Sequence, residues 1–259
     1  MLNRLETKNS VRILSAVCLP FLLSFAPGCV DGTIEDGQKY DWEESFLPDG
    51  TPKPVDSSLS GVDGTLRTQT QAITAAGMRV GNSRYDWWDG AIINASTRYG
   101  FPDPFFIKAQ MYHESEMNNL VMSKVAPCGI PAGWTDGESR AYGLMQITPS
   151  CTGYFIGGNG RPNLVKDKTS PYWPTSAYHP GNNLYTGVHI MASILRGLKT
   201  QFPGCKATDY VLMAAAAYNA GPRHVTGCGQ WSTTGGAYVQ KVTGRYRELG
   251  LLANVAYPF

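Results

Sequence analysis

Apolar residues recur at helical spacing through the C-terminal two-thirds of the chain, whereas the N-terminal third shows no such period. Tyr85, Trp88, Ile92, Ala95 and Tyr99 fall three or four residues apart, and Gly100 closes that run. Asp103 ahead of Pro104 is a capping residue before a first-turn proline, predicting a helix through Glu114. Leu184, Val188, Met191, Leu195 and Leu198 form one apolar stripe behind Asn183. Thr208 or Asp209 caps a helix over Val211 to Asn219 that Gly221-Pro222 closes. Tyr238, Val242, Tyr246 and Leu249 mark a last helix, stopped by Gly250. Between these runs, Gly, Pro and polar residues predict long loops from Asn119 to Tyr142 and from Thr152 to Pro180. No internal repeat is visible. The pattern predicts a mainly α domain with loop-built walls.

The N-terminal third reads differently. Arg4, Lys8 and Arg12 precede an apolar stretch, Ile13 to Ala26, which is short of the ~20 residues a membrane-spanning helix needs. It ends in Phe25-Ala26-Pro27-Gly28-Cys29, which resembles a bacterial lipobox, although Ala26 and Pro27 depart from the usual pattern. Residues 1–28 are thus expected to be a lipoprotein signal peptide, with Cys29 lipidated and anchoring the chain to a membrane. An ordinary cleaved signal is the alternative. The expected location is the periplasmic face of a bacterial membrane, and Val30 in place of an aspartate points to the outer one. Residues 29–81, rich in Gly, Pro, Ser, Thr, Asp and Glu, read as a flexible tether reaching roughly 40 Å, with Trp42, Phe46 and Leu47 able to dock. The folded domain is then expected over 82–259.

Composition narrows the function. A chain of 259 residues with 42% hydrophobic and 16% charged suffices for one well-cored domain plus appendages. The formal net charge is +2, and losing residues 1–28 leaves the mature chain neutral, so no basic field argues for nucleic acid. Setting aside Cys18 and Cys29, the even set Cys128, Cys151, Cys205 and Cys228 predicts two disulfides in an exported protein. Three pairings exist. Cys128–Cys151 with Cys205–Cys228 is favoured because each pair brackets a motif, but spacing leaves the choice open. Neither these cysteines nor His113, His179, His189 and His224 show metal-ligand spacing, so no metal or cofactor is expected. His113 reads as structural.

The candidate chemistry lies in an ordered set of segments. Ile107, Met111 and Glu114 share a helix face, and a carboxyl at the end of an apolar stripe is a candidate proton donor because burial raises its pKa. Gly143-Leu144-Met145-Gln146 offers a backbone that admits close approach, a soft apolar side chain and an amide. Tyr218 and Asn219 end an alanine-rich helix, and Tyr238 sits on the next one. The plainer readings are a surface glutamate, an ordinary turn and core tyrosines. Trp134 and the Tyr172-Trp173 pair either line a groove or plug the core.

Taken together, these residues resemble the lysozyme-like lytic transglycosylases and the related goose-type lysozymes, which cut the glycan strands of peptidoglycan. The resemblance implies a lysozyme-like helical domain acting as a monomer on peptidoglycan, without a cofactor, with Glu114 as general acid and base. It also implies substrate contacts from Ser115, Gly143, Met145, Gln146, Tyr218, Asn219 and Tyr238. Gly133-Trp134-Thr135-Asp136 and Thr233-Thr234 resemble the goose-type branch, in which Asp136 would position water for hydrolysis; Glu138 is a weaker candidate, and the plain reading of Asp136 is a loop aspartate. Glu116 and Asn118-Asn119 depart from the family pattern, as does the long insert carrying Cys128. A non-catalytic glycan-binding protein is the reading from another class. An intact Glu114, Gln146 and Tyr218 speak against it.

Overall fold

The structure is a computed structural model that describes residues 75–152, 163–253 and 255–259. Mainly α architecture holds, as expected. Its helices are α1 (Ala75–Met78), α2 (Ser83–Asp86), α3 (Asp89–Tyr99), α4 (Pro104–Ser115), α5 (Pro149–Thr152), α6 (Pro180–Gln201), α7 (Ala207–Ala220) and α8 (Thr233–Ala253), with a small hairpin of β1 (Val225–Gly227) and β2 (Gln230–Trp231). The two strands pair antiparallel, Val225 opposite Trp231. The segment expected to be a signal peptide, Cys29 and most of the expected tether, including Trp42, Phe46 and Leu47, lie outside the described residues.

Helix α4 is central. Asp103 caps it by accepting from the Phe106 N–H at 3.0 Å, and Pro104 occupies its first turn. Seven consecutive residues from Phe105 to Met111 are buried, so α4 is enclosed on all sides rather than amphipathic. It packs on α8; α7 packs against both α6 and α8, and α3 covers α6. Small residues let these helices approach. Ala214 to Ala217 are buried on α7, and a Cβ on Gly235 of α8 would stand 3.1 Å from that of Ala216. Glu116 and Met117, both left-handed at φ 50° and 63°, end α4 immediately after Ser115.

Several boundaries differ from those predicted. The Tyr85–Tyr99 run divides between α2 and α3. Helix α6 starts at Pro180, so Asn183 lies within it rather than ahead of it. Helix α7 starts at Ala207, and Asp209 acts from its third position by accepting from the Lys206 N–H at 3.2 Å. Helix α8 passes through Gly250 to Ala253; a Cβ at Gly250 would stand 3.0 Å from the Val255 carbonyl, so this glycine admits the returning chain. Folded structure also begins upstream of Asn82, since Met78 and Val80 are buried in the core.

That upstream segment is held by charge. The fully buried Lys108 of α4 donates to the Met78 carbonyl at 2.7 Å, to Asp86 at 2.9 Å and to Asp89 at 3.0 Å. Asp86 in turn accepts from the N–H groups of Val80 at 2.8 Å and Gly81 at 3.0 Å. A buried ammonium is tolerated because every donor has an acceptor and two carboxylates face it. Both favoured disulfides, Cys128–Cys151 and Cys205–Cys228, are present. The first staples the long insert to α5, and the second ties the chain ahead of α7 to the hairpin turn. Among the described residues, no helix is long and apolar enough to cross a membrane. Lys108→Met leaves two carboxylates facing each other without a cation, and urea unfolding is expected to show a loss of about 3–5 kcal/mol.

Candidate active site

The last turn of α4 carries Glu114 to the edge of the core. Its Oε1 accepts a hydrogen bond from the Tyr238 hydroxyl of α8, across 124 residues of sequence. Protein atoms surround the carboxyl, and burial pushes its pKa up to about 7, with the Tyr238 bond opposing part of the rise. The C-terminal end of a helix dipole disfavours a carboxylate in the same sense. The residue nonetheless keeps some exposure. Tyr238 is buried, and burial with the neighbouring Glu114 charge holds its hydroxyl protonated.

Beside the acid lies the turn Gly143–Gln146, closed by reciprocal 3.0 Å backbone bonds between Tyr142 and Ile147. Three side chains fasten it. Ser115 donates to the Leu144 carbonyl at 3.0 Å, Tyr218 of α7 donates to the Met145 carbonyl at 2.7 Å, and Asn183 of α6 accepts from the Met145 N–H at 2.7 Å. Asn183 also donates to the carbonyls of Tyr142 at 2.7 Å and Ala177 at 3.1 Å. Gln146 adopts a left-handed φ of 47°, a strained conformation for a non-glycine residue, and its amide N–H groups bond the Gly143 carbonyl at 2.9 Å. Its carbonyl oxygen is the acceptor left to meet an incoming group. Tyr218 lies near enough for the Glu114 charge, added to burial, to raise its own pKa.

Glu114, Ser115, the Gly143–Gln146 turn, Tyr218 and Tyr238 are thus brought together, but several do work other than expected: the Ser115 and Tyr218 hydroxyl hydrogens go to the turn's own carbonyls. Met145 is fully buried, where its side chain fills the space above Gly187 of α6, so it cannot flank a sugar ring. Gly143, at φ 71°, permits a close approach of Asn183 rather than of a substrate: a Cβ there would stand 2.4 Å from the Asn183 Nδ2. Asn219 is exposed at the end of α7. Tyr238 is the acid's direct partner. Asn183 was missed as a site residue; the available signal was an amide on an otherwise apolar helix face.

The remaining candidates divide. Asp136 is paired with Arg140 through Nε at 2.8 Å and through Nη2, and Arg140 also donates to the Ser123 carbonyl at 3.2 Å. No described interaction joins Asp136 to Glu114. Glu138 caps its own turn, accepting from the Thr135 N–H and hydroxyl at 2.9 Å. Trp173 is buried and packs on His179, whereas Tyr172 is 67% exposed, so the pair splits between core and surface. Trp134 is half-buried. His113 meets the Tyr238 ring edge-on at 5.3 Å, and burial lowers its pKa, so the imidazole is neutral at neutral pH. Thr233 and Thr234 are exposed on the first turn of α8. Among the described residues no three His, Cys, Asp or Glu side chains converge as metal ligands would.

Comparison with known proteins meets this geometry. The family described as Transglycosylase SLT domain matches residues 90–238, a span that runs from α3 to Tyr238 and takes in the acid, the turn and both tyrosines. Lysozyme g of Takifugu rubripes is 28% identical over 158 residues, covering 60% of this chain and 70% of that protein. With more than half of its length matched, the chain belongs to the transglycosylase SLT-domain family and is a lysozyme-like, glycan-cleaving enzyme.

Proposed function

We propose that this enzyme is a peptidoglycan lytic transglycosylase that cleaves the β-1,4 bond between N-acetylmuramic acid and N-acetylglucosamine, with Glu114 as sole acid and base. A carboxyl with a pKa near 7 is protonated in about half of the molecules at neutral pH, where an ordinary carboxyl is almost wholly ionised, and it yields its proton readily. Because Tyr238 donates to Oε1, the acid proton belongs on Oε2, free to meet the glycosidic oxygen. Proton transfer breaks the glycosidic bond, and the substrate's own acetamido oxygen supports the positive charge developing at the muramoyl C1. Glu114, now a carboxylate, takes the proton of the muramoyl C6 hydroxyl as that oxygen closes on C1. The products are a 1,6-anhydro-muramoyl end and a free N-acetylglucosamine end, and the acid is restored.

The observation that carries this reading is one buried carboxyl lifted into the neutral range, with the other candidate carboxylate, Asp136, committed to Arg140. Inverting hydrolysis needs a second carboxylate about 6.5–9.5 Å from the first to activate water. The similarity to lysozyme g favours such a muramidase as second reading, in which Asp136 leaves Arg140 to position that water. A binding protein without catalysis has no use for the desolvated acid. We also propose that the chain is a monomer acting on glycan strands, held by a lipid on Cys29 at the periplasmic face of the outer membrane.

Glu114→Gln is expected to abolish muropeptide release from sacculi with its circular dichroism unchanged; a fully active variant refutes the acid. The rate falls as pH rises through about 7, because the first step needs the protonated carboxyl. Folding favours the protonated form, so this group's stabilisation holds below its unfolded pKa and is lost as pH rises through about 7, and Glu114→Gln escapes that loss. Mass spectrometry of the digest is expected to find anhydro-muramoyl ends, with Asp136→Asn still active; reducing ends that vanish in Asp136→Asn establish the muramidase. Cys29→Ser is expected to shift the protein from the membrane to the soluble fraction, and unchanged membrane association rejects the anchor.

A further inference from the structure

Tyr238, Lys241 and Arg245 stand three and four residues apart on α8 and so share one face. That face runs along α4. Tyr238 meets the His113 ring edge-on at 5.3 Å, and the Arg245 guanidinium lies over the Tyr112 ring at 4.5 Å. Lys241, between them in sequence, is exposed, so the three mark the open rim of the seam between the two helices. The rim adjoins the acid. His113 directly precedes Glu114, and Tyr238, one turn from Lys241, donates to the Glu114 carboxyl.

Charges on this rim do not cancel. Glu248 accepts from the Arg245 Nη1 at 2.7 Å, and Glu116 lies 3.8 Å from Arg84. Among the described residues no carboxylate forms an ion pair with Lys241. Arg245 makes no other hydrogen bond among those residues, and the half-buried His113 imidazole makes none. Burial and then the cations Lys241 and Arg245 lower the His113 pKa, so the neutral ring has one N–H to give. Two cations and a neutral imidazole beside the acid fit an anionic group of the substrate.

We propose that Lys241 and Arg245, with His113, form a subsite for a carboxylate of the acidic peptide that substitutes muramoyl residues, so that the enzyme prefers peptide-bearing strands to bare glycan. The subsite rests on the cleavage proposed above, with Glu114 as the acid. The peptide hangs from the lactyl group of the ring whose C1 bond breaks. Its first carboxylates therefore lie one or two residues from the reaction, about 3.5–7 Å of chain. Lys241 stands one turn from Tyr238, about 5 Å along the helix axis, which matches that reach. Tyr112 and Glu248 hold Arg245 before any ligand arrives, so its remaining N–H groups are placed at small entropic cost. Both cations stay in contact with water, so they act on substrate choice and capture rather than on the chemical step.

The test compares two glycan oligomers of equal length, one carrying its peptides and one stripped of them by amide cleavage at the lactyl group. The purified enzyme is expected to favour the first about five- to tenfold in kcat/KM, mainly through KM. Lys241→Gln is expected to bring that ratio below about twofold, Lys241→Glu to bring it below one, and Lys241→Arg to keep it. Raising salt from about 50 to 500 mM is expected to erode the ratio, because the cations are exposed. Amidating the peptide carboxylates, which keeps the bulk and removes the charge, is expected to abolish it. Lys241 is a surface residue, so thermal unfolding of these variants is expected to match that of the unaltered enzyme. The subsite is refuted if the unaltered enzyme cuts both oligomers alike, if its preference survives amidation, or if Lys241→Gln keeps it. Binding of both oligomers to Glu114→Gln repeats the comparison without chemistry. Equal affinities there, with Glu114→Gln inactive, discard the subsite alone, whereas an active Glu114→Gln discards the acid itself.

Discussion

Holding the Glu114 carboxyl out of water, at the C-terminal end of a helix and against a single phenol, is the constraint on which the rest of the site depends. Burial penalises the charged form and the hydrogen bond from Tyr238 returns part of that penalty. The balance leaves a group that holds its proton near neutral pH and still releases it. Both effects require α4 and α8 to lie side by side with no water between them. The small-residue packing of α7 against α8 serves the same end by drawing Tyr218 and Tyr238 to one place.

Polar side chains then build the wall beside the acid. Ser115, Tyr218 and Asn183 spend their hydrogen bonds on the backbone of Leu144 and Met145 rather than on each other. Such bonds fix a turn more firmly than apolar contact does, because leaving any of these buried groups unpaired costs about 1–3 kcal/mol. The left-handed Gln146 is held by this network, and strain of that sort persists only where the surroundings over-determine it. Motif residues that look like sugar contacts in sequence are in part the turn's own supports.

The two ends of α4 treat buried polarity in opposite ways. Lys108 satisfies every donor, with Asp86, Asp89 and the Met78 carbonyl around it, and so fastens the incoming chain to the helix. Gln110 and Glu114, further along, are left underpaired or poised. A firmly anchored start allows a helix to hold a costly group at its finish.

Local chemistry was legible in the sequence. A cap and proline at Asp103-Pro104, an apolar period ending in Glu114 and two cysteine pairs each bracketing a motif all depend on neighbours within one or two turns. Even there, Gly250 misled as a helix stop, because a glycine marks either a chain end or a close crossing and the two look alike in sequence. Tertiary structure alone decided that Tyr238 rather than Tyr218 bonds the acid, that Met145 points inward, that Gly143 makes room for Asn183 and that Arg140 holds Asp136. The reason is physical. Helix periodicity and capping are set by residues a few positions apart, whereas the partner of a buried polar atom is set by which faces pack, across 124 residues in the case of Glu114.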